Sequence, residues 1–226
     1  MIDKLFPNAA QMWPDFWTAT IATVEMTVAT TLIACILGIF IGVLLLSTGE
    51  GGLTPNRAVY LILDKVVDIG RSIPFIILLV IIMPFTRFIV GTSLGTTAVT
   101  VPLIAGTIPF YARQVQNSLL EVDPGVVEAA KAMGSSNLGI IFRVYLREGL
   151  VSILRATNFT VIAIIGLTAM AGVVGGGGLG DMAVTEGYDR GYTDVTFLAL
   201  VFTLIFVFVT QILGNLAIRL VSRGRK

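Results

Sequence analysis

Long stretches of this chain carry no charge at all. Met26 to Gly49, Phe88 to Ala112, Ala156 to Gly180 and Val195 to Ile218 are each free of Asp, Glu, Lys and Arg. A bilayer core about 30 Å thick needs roughly 20 consecutive helical residues that are mostly apolar. Each run meets that length, so each predicts a membrane-spanning helix. Ser72 to Thr86 is too short alone. Tyr60 to Arg71 completes it, at the cost of bringing Asp64, Lys65, Asp68 and Arg71 to the membrane edge. Asp64 and Asp68 fall four apart on one helical face, with Lys65 and Arg71 available as partners. A helix foot in water, or one buried against protein, accounts for that quartet. The pattern predicts an all-α polytopic membrane protein, a single domain over 1–226 with spans at about 17–47, 59–84, 94–118, 149–174 and 195–219.

Charge decides whether the second segment crosses. With five spans and the C-terminus inside, the inner side carries 12 of the 15 basic residues: Arg57, Lys65, Arg71, Arg113, Lys131, Arg143, Arg147, Arg155, Arg219, Arg223, Arg225 and Lys226. Lys4, Arg87 and Arg190 stay outside. If Ser72 to Thr86 only dips in and returns, the split weakens to 10 against 5. The positive-inside rule therefore favours five spans with the N-terminus outside. Trp13 and Trp17 suit an interfacial belt at the start of the first span. The first fifteen residues lack the basic n-region and small-residue cleavage site of a signal peptide. Glu25, about two turns into that span, reaches an outer polar rim or a helix partner.

Composition narrows the chemistry. Hydrophobic residues make up 55% of the chain and charged ones 13%, against roughly 25% charged in soluble proteins; the mean hydropathy is +0.91. A net charge of +1 leaves no electrostatic case for nucleic acid. Without histidine there is no His-based triad and no His-ligated metal. A lone Cys35 excludes a disulfide framework and a cysteine metal site.

Proline and glycine punctuate the spans. Pro74, Pro84, Pro102 and Pro109 predict kinks or helix ends in the second and third. Such breaks are tolerated where neighbouring helices or a water-lined cavity satisfy the freed carbonyls. Gly166, Ala169, Ala171 and Gly172 in the fourth allow close backbone approach, and ordinary packing explains most of them. Met170 among them is a candidate gate or a packing residue, and Pro74 and Pro109 are pathway candidates. The run Gly175 to Gly180 formally satisfies G-x-G-x-x-G. The dinucleotide fingerprint needs a strand before it, and this one follows a membrane helix. A tightly turning exit from the span is the better account. No internal repeat is visible, so the usual signature of an inverted-repeat carrier is missing.

The loop at about 119–148 is more informative. Asp123-Pro124 reads as a helix start, with Asp as N-cap and Pro at the first helical position. Val126, Val127, Ala129, Ala130 and Met133 follow, and Gly134 offers a stop. Ser135 or Ser136 caps a second short helix through Leu146, with Ile140, Ile141, Val144 and Tyr145 as its apolar stripe. Two such helices suit docking into a groove of a soluble partner, or packing under the bundle. Periodicity does not separate the two.

Glu128-Ala129-Ala130, then Gly134, then Val144 and Leu146 resemble the EAA loop of bacterial ABC-importer permeases. Arg147 stands where that family usually has proline. The resemblance extends over most of the chain and is closest to the methionine-importing members. It is carried by Arg71 to Val80, Pro84 to Ser93, Pro109 to Arg113, Leu119 to Glu121, Ala132 to Gly134 and Gly177 to Gly180 with Gly187-Tyr188. It implies a type I importer permease in the bacterial cell membrane, paired with a second copy. It also implies a homodimeric ATP-binding subunit that holds ATP and Mg, and an extracytoplasmic methionine-binding protein. Glu128, Ala129, Ala130, Met133 and Gly134 become the ATPase-coupling residues, and the loop becomes a cytoplasmic coupling helix. The chain itself would be no enzyme and would hold no cofactor. It lacks the G-x-x-x-x-G-K-[ST] loop that hydrolysis needs. An ion-coupled amino-acid carrier or channel is the alternative, but that class buries paired ionisable residues at mid-membrane, and these spans have almost none there.

Overall fold

A computed structural model describes residues 6–223. Lys4, Arg225 and Lys226, which entered the charge count above, lie outside the described residues. The described chain is helical almost throughout. In order it forms α1 (Pro7–Gln11), α2 (Trp13–Thr48), α3 (Arg57–Ser72), α4 (Phe75–Val90), α5 (Thr96–Leu120), α6 (Pro124–Ala132), α7 (Asn137–Ile140), α8 (Leu150–Ala171), α9 (Gly178–Asp181) and α10 (Thr193–Arg223). After α7 a π-helical turn at Ile141–Tyr145 and a short helix at Leu146–Glu148 lead into α8. Among the described residues three helices are long and apolar enough to cross a membrane: Trp13–Thr48, Leu150–Gly176 and Thr193–Arg223. Taken together as one broken span, α3 and α4 make a fourth.

The break falls at Ile73-Pro74. Pro74 has no N–H to give the helix, and its carbonyl instead starts α4 by accepting from Ile77 N and Leu78 N at 2.9 and 3.0 Å. Pro84, Pro102 and Pro109 behave differently, since each sits inside a helix that continues past it.

Beside its apolar cores the chain buries many polar side chains and exposes many large apolar ones. Thr23, Thr27, Thr30, Gln116, Ser118, Thr160 and Thr168 are buried, while Leu32, Ile36, Phe40, Ile81, Phe88, Ile212 and Leu220 are exposed. In water so much bare apolar surface would be an association site; in lipid it is the solvent-facing side. Several inward threonines return their hydroxyl to the helix itself. Thr27 Oγ1 donates to Thr23 O at 2.8 Å, and Thr160 Oγ1 to Ala156 O at 2.8 Å.

The chain forms two compact units. In the described residues the first comprises 6–32, 73–106 and 161–211. One of its cores gathers Phe16, Ala19, Leu179, Met182, Val195 and Ala199. Trp13 and Trp17, both exposed, meet Phe202 edge-on. Asp194 at the start of α10 accepts from Asn8 N and Ala9 N at 2.9 and 3.1 Å, so it caps α1 from 185 positions away. The glycine run also belongs here. Gly175, Gly177 and Gly178 have φ of +82°, +73° and +79°, which a side chain would oppose. Leu179 N then donates to Thr23 Oγ1 at 2.9 Å. The run is a turn that returns the chain against α2.

The second unit comprises 33–72, 107–160 and 212–223. Tyr111, Val115, Leu119, Leu46 and Ile153 form its largest core. Gly42 lets α2 close on Val115, where a Cβ would stand 2.8 Å from the Val115 side chain.

Candidate functional site

The loop at 119–148 lies wholly in the second unit and is shaped by its own caps. Asp123 Oδ1 accepts from Gly125 N at 2.8 Å, with Pro124 opening α6. Ser136, of the two serines considered, caps α7 by accepting from Gly139 N at 3.2 Å. Between the helices Ser135 N donates to Ala130 O at 3.1 Å, and Gly134 N to Lys131 O at 2.9 Å. That closure requires Gly134 at φ +77°.

Packing divides the three residues of the Glu-Ala-Ala motif. Ala130, 5% exposed, turns inward with Val127 onto Val122 and Ile140, and Leu53, Val144 and Tyr145 close the cluster. Asn137 Nδ2 reaches Leu53 O at 3.3 Å. Glu128 and Ala129 turn outward. So do Val126, Met133 at 80% exposed, Leu138, and Phe142 at 66%. The two helices thus share one buried seam and still present a second, bare apolar surface. Burial also lifts the Tyr145 hydroxyl above the ordinary tyrosine pKa.

Periodicity had left docking and packing open, and the structure shows the packing. The loop's inner stripe packs within the unit and its outer stripe is free. The sequence pointed to Met133 as a coupling residue and to Val126 only as an apolar position of the first helix, and it left Leu138 and Phe142 unnamed. Their signal was present, since an apolar residue off the buried stripe of a short helix must face outward.

A charge network sits in the same unit. Arg113 Nη2 lies 2.6 Å from Asp64 Oδ1 and 3.0 Å from Asp68 Oδ1, and Nη1 donates to Gln116 Oε1 at 2.8 Å. Arg71 Nε meets Asp68 at 3.2 Å. The sequence offered Arg71 as a partner, and it is one. The principal partner, Arg113, comes from α5, and no local spacing could have nominated it. The network binds α3 to the helix that runs into the loop.

Of the pathway candidates, Pro74 and Met170 belong to the first unit and Pro109 to the second. Pro74 is exposed at the α4 start. Pro109 is buried in α5, where a Cβ on Gly70 would come 2.8 Å from its ring. Met170 is 43% exposed and shares an uncovered face of α8 with Gly166, one that Val173 continues in the π-helical turn after it.

Lipid-compatible helices with inward-turned polar groups, and a folded loop presenting a bare apolar surface, are the marks of a polytopic membrane protein. Comparison with known proteins makes the class specific. The chain belongs to the family of binding-protein-dependent transport system inner membrane components, whose model matches residues 34–226. It is 45% identical over 223 residues to the methionine import system permease protein MetP of Bacillus subtilis (strain 168), covering 99% of this chain and 100% of that one. It is 43% identical over 205 residues to the probable D-methionine transport system permease protein MetI of Pasteurella multocida (strain Pm70), covering 91% and 94%. Its structure is similar to a chain of the MetNI methionine ABC transporter in an inward-facing conformation. There the TM-score is 0.91 at 40% identity, over 93% of this chain and 98% of that chain.

Proposed function

We propose that this chain is the permease subunit of an ATP-driven methionine importer. The observation that carries the reading is near-complete coverage at 45% identity by a relative named for methionine import. On this reading two copies form the transmembrane path, and a separate homodimeric ATP-binding subunit holds ATP and Mg and hydrolyses the nucleotide. An extracytoplasmic methionine-binding protein delivers the solute. The chain crosses the bacterial cell membrane five times, with α3 and α4 as one broken span, the N-terminus outside and the C-terminus in the cytoplasm. The 12-to-3 distribution of basic residues supports that orientation.

The loop then acts as the coupling element. Its outward stripe, Ala129, Met133, Leu138 and Phe142, offers apolar area to a groove on the ATPase, and Glu128 adds a charge-assisted contact. Its inward stripe, Val127 and Ala130, ties any displacement of the loop to the unit's core. Met170, flexible and uncovered, is suited to close the path beside the small Gly166.

The test is reconstitution. The chain, its ATPase and its binding protein in liposomes should take up L-methionine only with ATP, and methionine-loaded binding protein should stimulate hydrolysis. Uptake driven by an ion gradient without ATP would overturn the reading.

A further inference from the structure

One cavity in the second unit has a lining that no packing role uses up. It measures about 400 Å³ and is lined by Gln114 and Ser118 of α5, Glu121 just past its end, and Ser152, Arg155, Ala156 and Phe159 of α8. The lining holds one acid, one base, three neutral hydrogen-bonding side chains and an aromatic ring. Ser152 Oγ donates to Glu121 Oε2 at 2.6 Å, which fixes the carboxylate at the rim. Among the described residues nothing pairs with Arg155, whose side chain is exposed. Phe159, one turn further along the same face, is 58% exposed and tilts against Phe110 with ring centroids 6.2 Å apart.

A free guanidinium, a carboxylate and an amide are poor neighbours for lipid tails. Such groups in membrane helices face a protein interior or a water-filled cavity. A groove of both signs with an aromatic floor also has a definite complement. It matches a zwitterion with an apolar side chain: α-carboxylate to Arg155, α-ammonium to Glu121, and the apolar chain over Phe159.

We infer that this groove is a transit subsite for the free amino acid at the inner end of the path, with Arg155 and Glu121 as its charge-recognition pair. The inference rests on the transport reading above and adds to it a place where the solute's two charges are met before release. Coulombic complementarity on both ends lowers the cost of carrying a zwitterion past the apolar part of the span. Occupancy is weak, because the groove is open and conduction requires the solute to leave.

Ser152→Cys gives a direct probe in inside-out vesicles that carry the assembled transporter, in a Cys35→Ala background. We expect millimolar L-methionine to slow thiol labelling at position 152. Methionine amide, which lacks the carboxylate, and N-acetylmethionine, which lacks the ammonium, should protect about tenfold less well. Arg155→Gln in that background should remove protection by methionine, and Arg155→Lys should retain most of it. Arg155→Gln and Glu121→Gln in the wild-type background should slow uptake several-fold with ATPase association intact. Labelling indifferent to methionine, or equal protection by all three compounds, overturns the subsite. A failure of the transport reading would look different, since the wild-type assembly would then show no ATP-driven methionine uptake at all.

Discussion

Replacing Arg113 with Met asks how much the charge network contributes to holding α3 against α5. The side chain keeps an unbranched apolar stem but is shortened, and it loses its contacts at 2.6 and 3.0 Å to Asp64 and Asp68, and the one at 2.8 Å to Gln116. Side-chain exposure decides which of these matter. Arg113 and Asp64 are 15% and 19% exposed, whereas Asp68 is 39% exposed. An exposed pair contributes about 0–1 kcal/mol, and Asp68 also keeps Arg71. Removing one partner of a fully buried pair costs about 3–5 kcal/mol, because the other charge is left stranded. The Arg113–Asp64 pair lies nearer the buried limit, so Arg113→Met should cost about 2–3 kcal/mol. Asp64→Asn should be milder, since Arg113 then retains Asp68 and Gln116. The assay is unfolding in mixed micelles at rising SDS fraction, as a double-mutant cycle of Arg113→Met with Asp64→Asn. A coupling energy on the order of 1–2 kcal/mol is expected. Single variants indistinguishable from wild type, with additive energies, would show that the network is ornamental and that packing alone joins the helices.

The remaining expectations concern the loop and the gate. Ala130→Leu overfills the seam against Val122, Val127 and Ile140 and should destabilise the loop by about 1–3 kcal/mol, read as faster proteolysis near residue 134. Ala129→Leu, facing outward, should leave the loop intact and weaken ATPase association in a pull-down. Equal behaviour of the two variants would refute the inward and outward assignment. A Cβ added at Gly134 meets nothing within 4 Å, so the main cost of Gly134→Val is the positive φ, about 1–3 kcal/mol. A membrane-inserted dimer with roughly tenfold weaker ATPase binding is expected, and wild-type stimulated hydrolysis would remove the loop from coupling. Met170→Ala in liposomes should raise solute leak or uncouple ATP use from transport, whereas unaltered values of both would leave Met170 a packing residue.

Much of this protein is written in one dimension. A run of uncharged residues long enough to cross a bilayer must be helical there, because lipid offers no other partner for the backbone. Three long apolar helices could therefore be placed from the sequence, as could the Asp123-Pro124 start of the loop and the stop at Gly134, whose causes lie within a few positions; the uncharged run from Phe88 to Ala112 misled, since α4 ends at Val90 and α5 begins only at Thr96. Pro74, Pro84 and Pro109 share one chemistry, yet only Pro74 ends a helix. What separates them is the surrounding structure, which the local sequence does not contain. The same holds for side chains whose partners are distant. Arg113 finds Asp64 from 49 positions away, and Asp194 caps a helix 185 positions before it. Ala129 and Ala130 look identical in the motif, but a helix turns each residue about 100° from the last, and only one then meets Ile140. Glu121 and Arg155 read as two ordinary membrane-edge charges until the fold sets the end of α5 beside the start of α8. Local propensity and solvent fixed which segments are helices; long-range packing decided which of their faces meet each other and which are left free to meet something else.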